Sequence, residues 1–212
     1  MRYTLIEFPF AALRGIGRWI YDNFIAPVKT FWLVSAWRLS CGAHVRFIGP
    51  TIIRSYEQRA IMIGTDTIFN SQQKRNLVGL AGPTVLCAME GARIEIGDNT
   101  GFSSVVIHAR ELIKIGNNVK VGGNVRIFDH DFHPLNWEDR RHPEKFEKTR
   151  VKPVIIEDDV FIGTNAIILK GTHVGARSII AAGSVVFGLH IPSDAMVKGN
   201  PAVVITQKEN KG

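Results

Sequence analysis

Cysteine is scarce in this chain: Cys41 and Cys87 are the two among 212 residues. They form no C-x-x-C pair and no metal-ligand spacing. That sets aside a disulfide framework and a cysteine-built metal site, and points to reduced, packed thiols in a cytosolic protein. Long uncharged apolar runs are missing as well. The stretch MRYTLIEFPFAALRGIGRWIYDNFIAPVKTFWLVSAWRL is rich in Phe, Trp, Ile and Leu, but Arg14, Arg18, Asp22, Lys29 and Arg38 cut it. No uncharged run approaches the roughly 18 residues of a spanning helix, and no secretory signal is evident. Acidic residues are the minority charge, 19 against 26 Lys and Arg, for a net +7. An anionic partner is therefore expected, such as a membrane surface or a phosphorylated small molecule. The bases are scattered and no nucleic-acid motif stands out, so a nucleic-acid partner is not.

What the chain does have is a period. From Ile156 in steps of six come Ile162, Ile168, Val174, Ile180 and Val186, with Gly163, Gly175 and Ala181 following three of them. A second register gives Ile115, Val121 and Ile127; earlier copies stand at Ile96, Phe102 and Ile63. Four residues beyond the later aliphatic positions lie Val160, Ala166, Thr172, Ser178 and Ser184, nearly all small. Six matches neither the 3.6 of a helix nor the 2 of a strand. It fits short strands joined by tight corners, each with one aliphatic side chain inward and small residues where the chain turns. That is the hexapeptide repeat of a parallel β-helix.

Two regions leave the period. Residues 1–42 show apolar residues at mixed spacing of three and four, broken by Pro9 and Pro27. One or two short amphipathic helices are expected, either capping the open end of the solenoid or lying in a membrane interface, with Trp19, Phe24, Phe31, Trp32 and Trp37 dipping in and Arg and Lys meeting anionic headgroups. The repeat domain then spans 43–205, with a short tail at 206–212. Within it, 70–84 reads as an irregular connection, and about 128–153 as one long excursion. The excursion opens with FDHDFHPLNW, and a loop this long in a regular solenoid is usually functional. His133, before Pro134, and His130 are its candidate bases; Asp129 and Asp131 stand beside them. His108, His142, His173 and His190 have no motif support and read as surface or packing residues.

The run HPL at 133–135, then KPVIIEDDVFIGTNAIILKGTHVGARSIIAAGSVV and IPSDAMVKGNPAVVI, resembles the hexapeptide-repeat O-acetyltransferases, the group that includes the galactoside and maltose enzymes. The resemblance covers roughly residues 94–205. Beside the short α-helical N-terminal segment and the one excursion loop read from the residues themselves, it implies a mainly β fold, a left-handed parallel β-helix. It also implies a homotrimer that moves an acetyl group from acetyl-CoA to a hydroxyl of a sugar or glycan precursor, with no metal required. His133 corresponds to the catalytic base, and an imidazole suits that task because it exchanges protons near neutral pH. Thr164, after FIG, would present its backbone N–H to the thioester carbonyl. Ala182 would line the pantetheine path, and Lys198 would meet the nucleotide phosphates.

Three departures stand out. Phe187, Gly188 and Val203 occupy places where relatives often carry basic residues, so Lys198 or Lys208 would have to supply the charge. VVFGLHIP runs one residue long. Phe102, beside Ser103 and Ser104, stands where sugar acetyltransferases often place an acceptor-binding Asn. Two other readings stay open: a catalytically inactive β-helix scaffold, and a zinc carbonic anhydrase of the β-helical kind, which would draw on His130, His133 and either His108 or His142. The expected location is cytoplasmic, or peripheral on the inner membrane face.

Overall fold

The computed structural model describes residues 15–17 and 19–206. The first fourteen residues, Arg18 and most of the expected tail, Lys208 included, lie outside them. Among the described residues the chain winds through successive coils, each laying a short strand on three faces of a prism. Seven parallel strands stack on the first face, from Ser40–Cys41 to His190–Ile191. Six stack on the third, from Thr51–Ser55 to Val185–Phe187. The second face holds eight, from Arg46–Ile48 to Ala195–Gly199, where Ala202–Thr206 turns back antiparallel and ends the stack.

The six-residue period is the inward position of this winding. Ile156, Ile162, Ile168, Val174, Ile180 and Val186 are each at most 1% exposed. Register carries them into three columns, one per face. The first runs Ile63, Ile96, Ile115, Ile156, Val174, Ile191. The third runs Ile53, Leu86, Ile107, Ile127, Ile168, Val186. The second begins with stacked rings, Phe47 on Phe69 at 4.8 Å and Phe69 on Phe102 at 4.6 Å, before continuing as Val121, Ile162, Ile180 and Val197. Phe102 is thus a core residue, and its place in the sequence signals packing rather than an acceptor pocket.

Corners impose the small residues. Each corner between the first and second faces puts one residue in the left-handed region: His44, Asp66, Asn99, Asn118, Asp159, Arg177 and Asp194, all with φ between 54° and 60°. Five of the seven are Asn or Asp, the side chains that tolerate that conformation best after glycine. Gly163 answers to proximity instead, since a Cβ there would stand 2.4 Å from the Ala182 backbone nitrogen of the next coil. The buried hydroxyls at corners are largely bonded: Ser178 donates to Pro192 O at 2.9 Å and accepts from Ala195 N–H at 3.2 Å.

The helix Ala26–Ala36 lies over the first coil. Ala26 and Thr30 are buried, and the Thr30 hydroxyl accepts from Phe47 N–H at 3.1 Å. Gly163→Ala should therefore lower stability by about 1–3 kcal/mol through overpacking. Gly82→Ala, with open space around its Cα, should leave it nearly unchanged. Paired urea denaturation curves check both.

Candidate functional site

The excursion leaves the prism where the third face would turn into the first. The strand Arg126–Phe128 ends on the third face, and the next strand, Val154–Ile156, opens on the first. Its two ends are tied in a neck. His130 bridges Val151, Asp131 N–H donates to Arg150 O at 3.0 Å, and Lys152 N–H donates to Asp129 O at 2.8 Å. The Asp129 carboxylate is fully buried. It accepts from the backbone N–H groups of Arg110 (2.8 Å) and Glu111 (2.7 Å), and it holds His130 Nδ1 at 2.9 Å. An acid here replaces the backbone acceptors lost when the chain departs from the ladder, because buried N–H groups need partners.

Around that anchor sits a cluster of rings. Phe132 packs on His130 (4.7 Å), Phe128 (5.1 Å) and His108 (5.3 Å), and the two imidazoles are 4.9 Å apart. The His130 side chain is 1% exposed. His108 is held below the ordinary histidine value, first by burial and then by His130, with Asp129 opposing. His133 follows immediately and is exposed. The chain beyond it is fixed by Arg140, which donates to the carbonyls of Pro134 (3.2 Å) and Leu135 (2.6 Å). Neither nearby carboxylate bonds His133: Asp129 serves the neck, and Asp131 pairs with Lys170. Lys170 Nζ also lies 4.6 Å from the ring centre of Phe187, so a cation does stand beside that departure.

Thr164 and Ala182 occupy a different corner, between the second and third faces, on neighbouring coils. Among the described residues no acceptor lies on the Thr164 N–H, whereas Thr164 O accepts from Gly183 N–H at 2.9 Å. The irregular connection 71–83 covers this corner lower down. Asn124 holds it by accepting from Ala81 N–H (2.8 Å) and donating to Gly79 O (2.9 Å), and Asn124 also reaches Asn165 Oδ1 at 3.2 Å. Ser103 and Ser104 bond the same connection, through Asn76 at 2.8 Å and Gly82 O at 2.6 Å. Lys198 is exposed near the end of the second face, opposite Val203 in the closing hairpin.

The structure therefore does not gather all the expected site residues at one place in one chain. His133 belongs to one edge of the third face, while Thr164 and Ala182 border the other. Between them the outward side chains are largely apolar, including Ile52 at 48% and Phe187 at 57% exposed. Sequence reasoning missed Arg140, Asn124 and the Asp129 anchor as organisers. Of these only Asp129 carried a signal, in the crowded acids of DHD. Among the described residues no three His, Cys, Asp or Glu side chains come together as a metal site; His142 pairs with Glu144 at 3.0 Å instead.

A family model for the hexapeptide repeat of succinyl-transferase matches residues 153–187. Over 96% of this chain and 91% of the other, the fold matches a hexapeptide-repeat acetyltransferase from Vibrio cholerae O1 biovar eltor complexed with acetyl coenzyme A, at 25% identity and a TM-score of 0.54. The chain resembles the hexapeptide-repeat acetyltransferases. A maltose O-acetyltransferase from Clostridium difficile 630 shares the fold at 24% identity, TM-score 0.54, over 87% of this chain and 76% of that one. So does an N-acyltransferase from Bacillus cereus complexed with dTDP and 3-hydroxybutyryl-CoA, at 16% identity, TM-score 0.65, over 84% and 87%. The 2,3,4,5-tetrahydropyridine-2,6-dicarboxylate N-acetyltransferase of Staphylococcus aureus (strain JH9) is 52% identical over 61 residues. That match covers 29% of this chain and 25% of the relative's length.

Because burial, and then the neighbouring His130, lowers the proton affinity of His108 in the folded protein, unfolding lets it bind protons more readily below its ordinary value of 6.5. Stability should fall as pH drops below that value, and His108→Gln should remove that component. Thermal melts of both proteins across pH 5 to 8, a window of about three units around the histidine range, check the sign.

Proposed function

We propose that the chain is a coenzyme A-dependent acyltransferase, moving an acetyl group from acetyl-CoA to a hydroxyl of a sugar or glycan precursor, with His133 as general base. The observation that carries this reading is the placement of His133: an exposed imidazole between a packed ring cluster and an arginine-fixed turn, on a loop rooted by a buried acid. His130 is better anchored but sealed beneath Phe132, with its Nδ1 engaged. It supports the neck rather than the chemistry.

In the proposed step the acceptor hydroxyl attacks the thioester carbonyl while His133 takes its proton. The tetrahedral oxyanion is stabilised by the Thr164 N–H, a fixed donor of the kind that carries much of acyl-transfer catalysis. Collapse breaks the carbon–sulfur bond, and the imidazolium returns the proton to the leaving thiolate, giving the ester and free coenzyme A. Ala182 leaves room for pantetheine, and Lys198 faces the nucleotide phosphates. Since His133 and Thr164 border opposite edges of the third face, the base of one copy serves the donor of another. The assembly is a homotrimer, and the helix is left-handed. The protein works in the cytoplasm or on the inner membrane face.

The Staphylococcus aureus relative and the Bacillus cereus neighbour are named as N-acyl enzymes, and they support a second reading with an amino sugar as acceptor. Thiol release from acetyl-CoA with paired hydroxyl and amino sugars separates the two. His133→Ala should keep its melting temperature and lose about 10²–10⁴-fold in turnover. His130→Ala should instead melt earlier, because it leaves the buried Asp129 carboxylate short of a partner. Full turnover in the His133 variant would remove the proposed base.

A further inference from the structure

The N-terminal helical segment has two apolar faces, and the solenoid uses one of them. On the inner face Thr30 is buried, Leu33, Val34 and Trp37 pack against the core, and the Tyr21 hydroxyl accepts from Gly49 N–H at 3.1 Å. On the outer face stand Ile16, Trp19, Phe24, Val28, Phe31 and Trp32, each between 55% and 67% exposed. They recur at i, i+3, i+8, i+12, i+15 and i+16, one stripe of a helix. The single π-helical turn Tyr21–Ile25 takes up an extra residue and so keeps the two halves of the stripe in phase. Four of these residues are aromatic, and they pair edge to face, Trp19 with Phe24 at 5.6 Å and Phe31 with Trp32 at 6.3 Å.

This end of the chain is net positive in sequence. Residues 15–60 contain six bases (Arg18, Lys29, Arg38, Arg46, Arg54, Arg59) and two acids (Asp22, Glu57), so this end carries +4 of the chain's net +7. Arg38, Arg54 and Arg59 are exposed. No described helix is long and apolar enough to cross a membrane.

We infer that this stripe docks the N-terminal end of the solenoid in the interface of an anionic lipid bilayer. Aromatic side chains enter the headgroup boundary, and the surrounding arginines meet lipid phosphates. A second copy laid stripe to stripe would bury the same apolar area but would press two +4 surfaces together. An anionic membrane satisfies both the apolar face and the charge. The inference does not depend on the acyl-transfer reading.

Flotation of the full chain with vesicles of phosphatidylcholine alone, and of phosphatidylcholine mixed with phosphatidylglycerol, tests it. Wild type should float with the anionic vesicles, bind less at high salt, and show a blue-shifted tryptophan emission on binding. The variant Phe31→Ser with Trp32→Ser should lose about tenfold in vesicle affinity, since interfacial binding scales with buried apolar area. Those side chains are exposed, so its melting temperature should hold. The double variant Arg54→Gln with Arg59→Gln should lose the preference for anionic lipid. Absence of flotation, or equal flotation of wild type and the Phe31 and Trp32 variant, overturns the inference. So does a larger assembly that the same variant halves without any vesicle binding, which would assign the stripe to a second copy.

Discussion

Everything in this molecule depends on one coil satisfying the next. A single turn of the prism cannot bury its own inward aliphatics, and half of its backbone hydrogen-bonding groups face an empty edge. Parallel stacking at the spacing of a β-sheet, about 4.8 Å, solves both problems at once. The columns of Ile, Val, Leu and Phe meet, and the ladder bonds run along the prism. The ends therefore need separate treatment. The helix Ala26–Ala36 covers the first coil, and the antiparallel strand Ala202–Thr206 pairs with the last strand of the second face.

That dependence also decides where chemistry has room. An insertion in the middle of a face would break the ladder above and below it, so both irregular segments leave from corners. Each then needs a substitute for the bonds it gives up. For the excursion the substitute is the buried carboxylate of Asp129, bonded to backbone N–H groups one coil down. For the 71–83 connection it is the side chain of Asn124. A side chain carried outward on such an anchored neck, as His133 is, keeps its position without weakening the solenoid.

The repeat was legible because its inward position recurs every six residues, and each aliphatic of the Ile156 series is inside. What could not be read is which contacts join distant coils. Asp129 meets Arg110 and Glu111 nearly twenty residues away, and Asn124 meets Ala81 more than forty residues away, with no local pattern announcing either. Phe102 carried two signals, an inward place in the period and a place where relatives hold an acceptor-binding Asn; its burial and the stacked Phe69 below it decide for the core. In the sequence Pro134 already favours His133 over His130, and burial separates the two further, since His130 is enclosed and His133 is exposed. In the N-terminal segment the aromatics Trp19, Phe24, Phe31, Trp32 and Trp37 read alike in the sequence; the structure leaves the first four exposed and packs Trp37 against the core, a split that sequence could not show because both helix faces are apolar.

The central claim is that the corner carrying Thr164 and Ala182 accepts an acyl-CoA thioester. Calorimetric titration of acetyl-CoA into the intact protein, beside Ala182→Trp, tests it most directly. The account predicts saturable binding with one donor per chain, abolished when the tryptophan fills the path. Absence of heat with the wild-type protein, or binding that the tryptophan leaves unchanged, would contradict it and leave the solenoid as a scaffold.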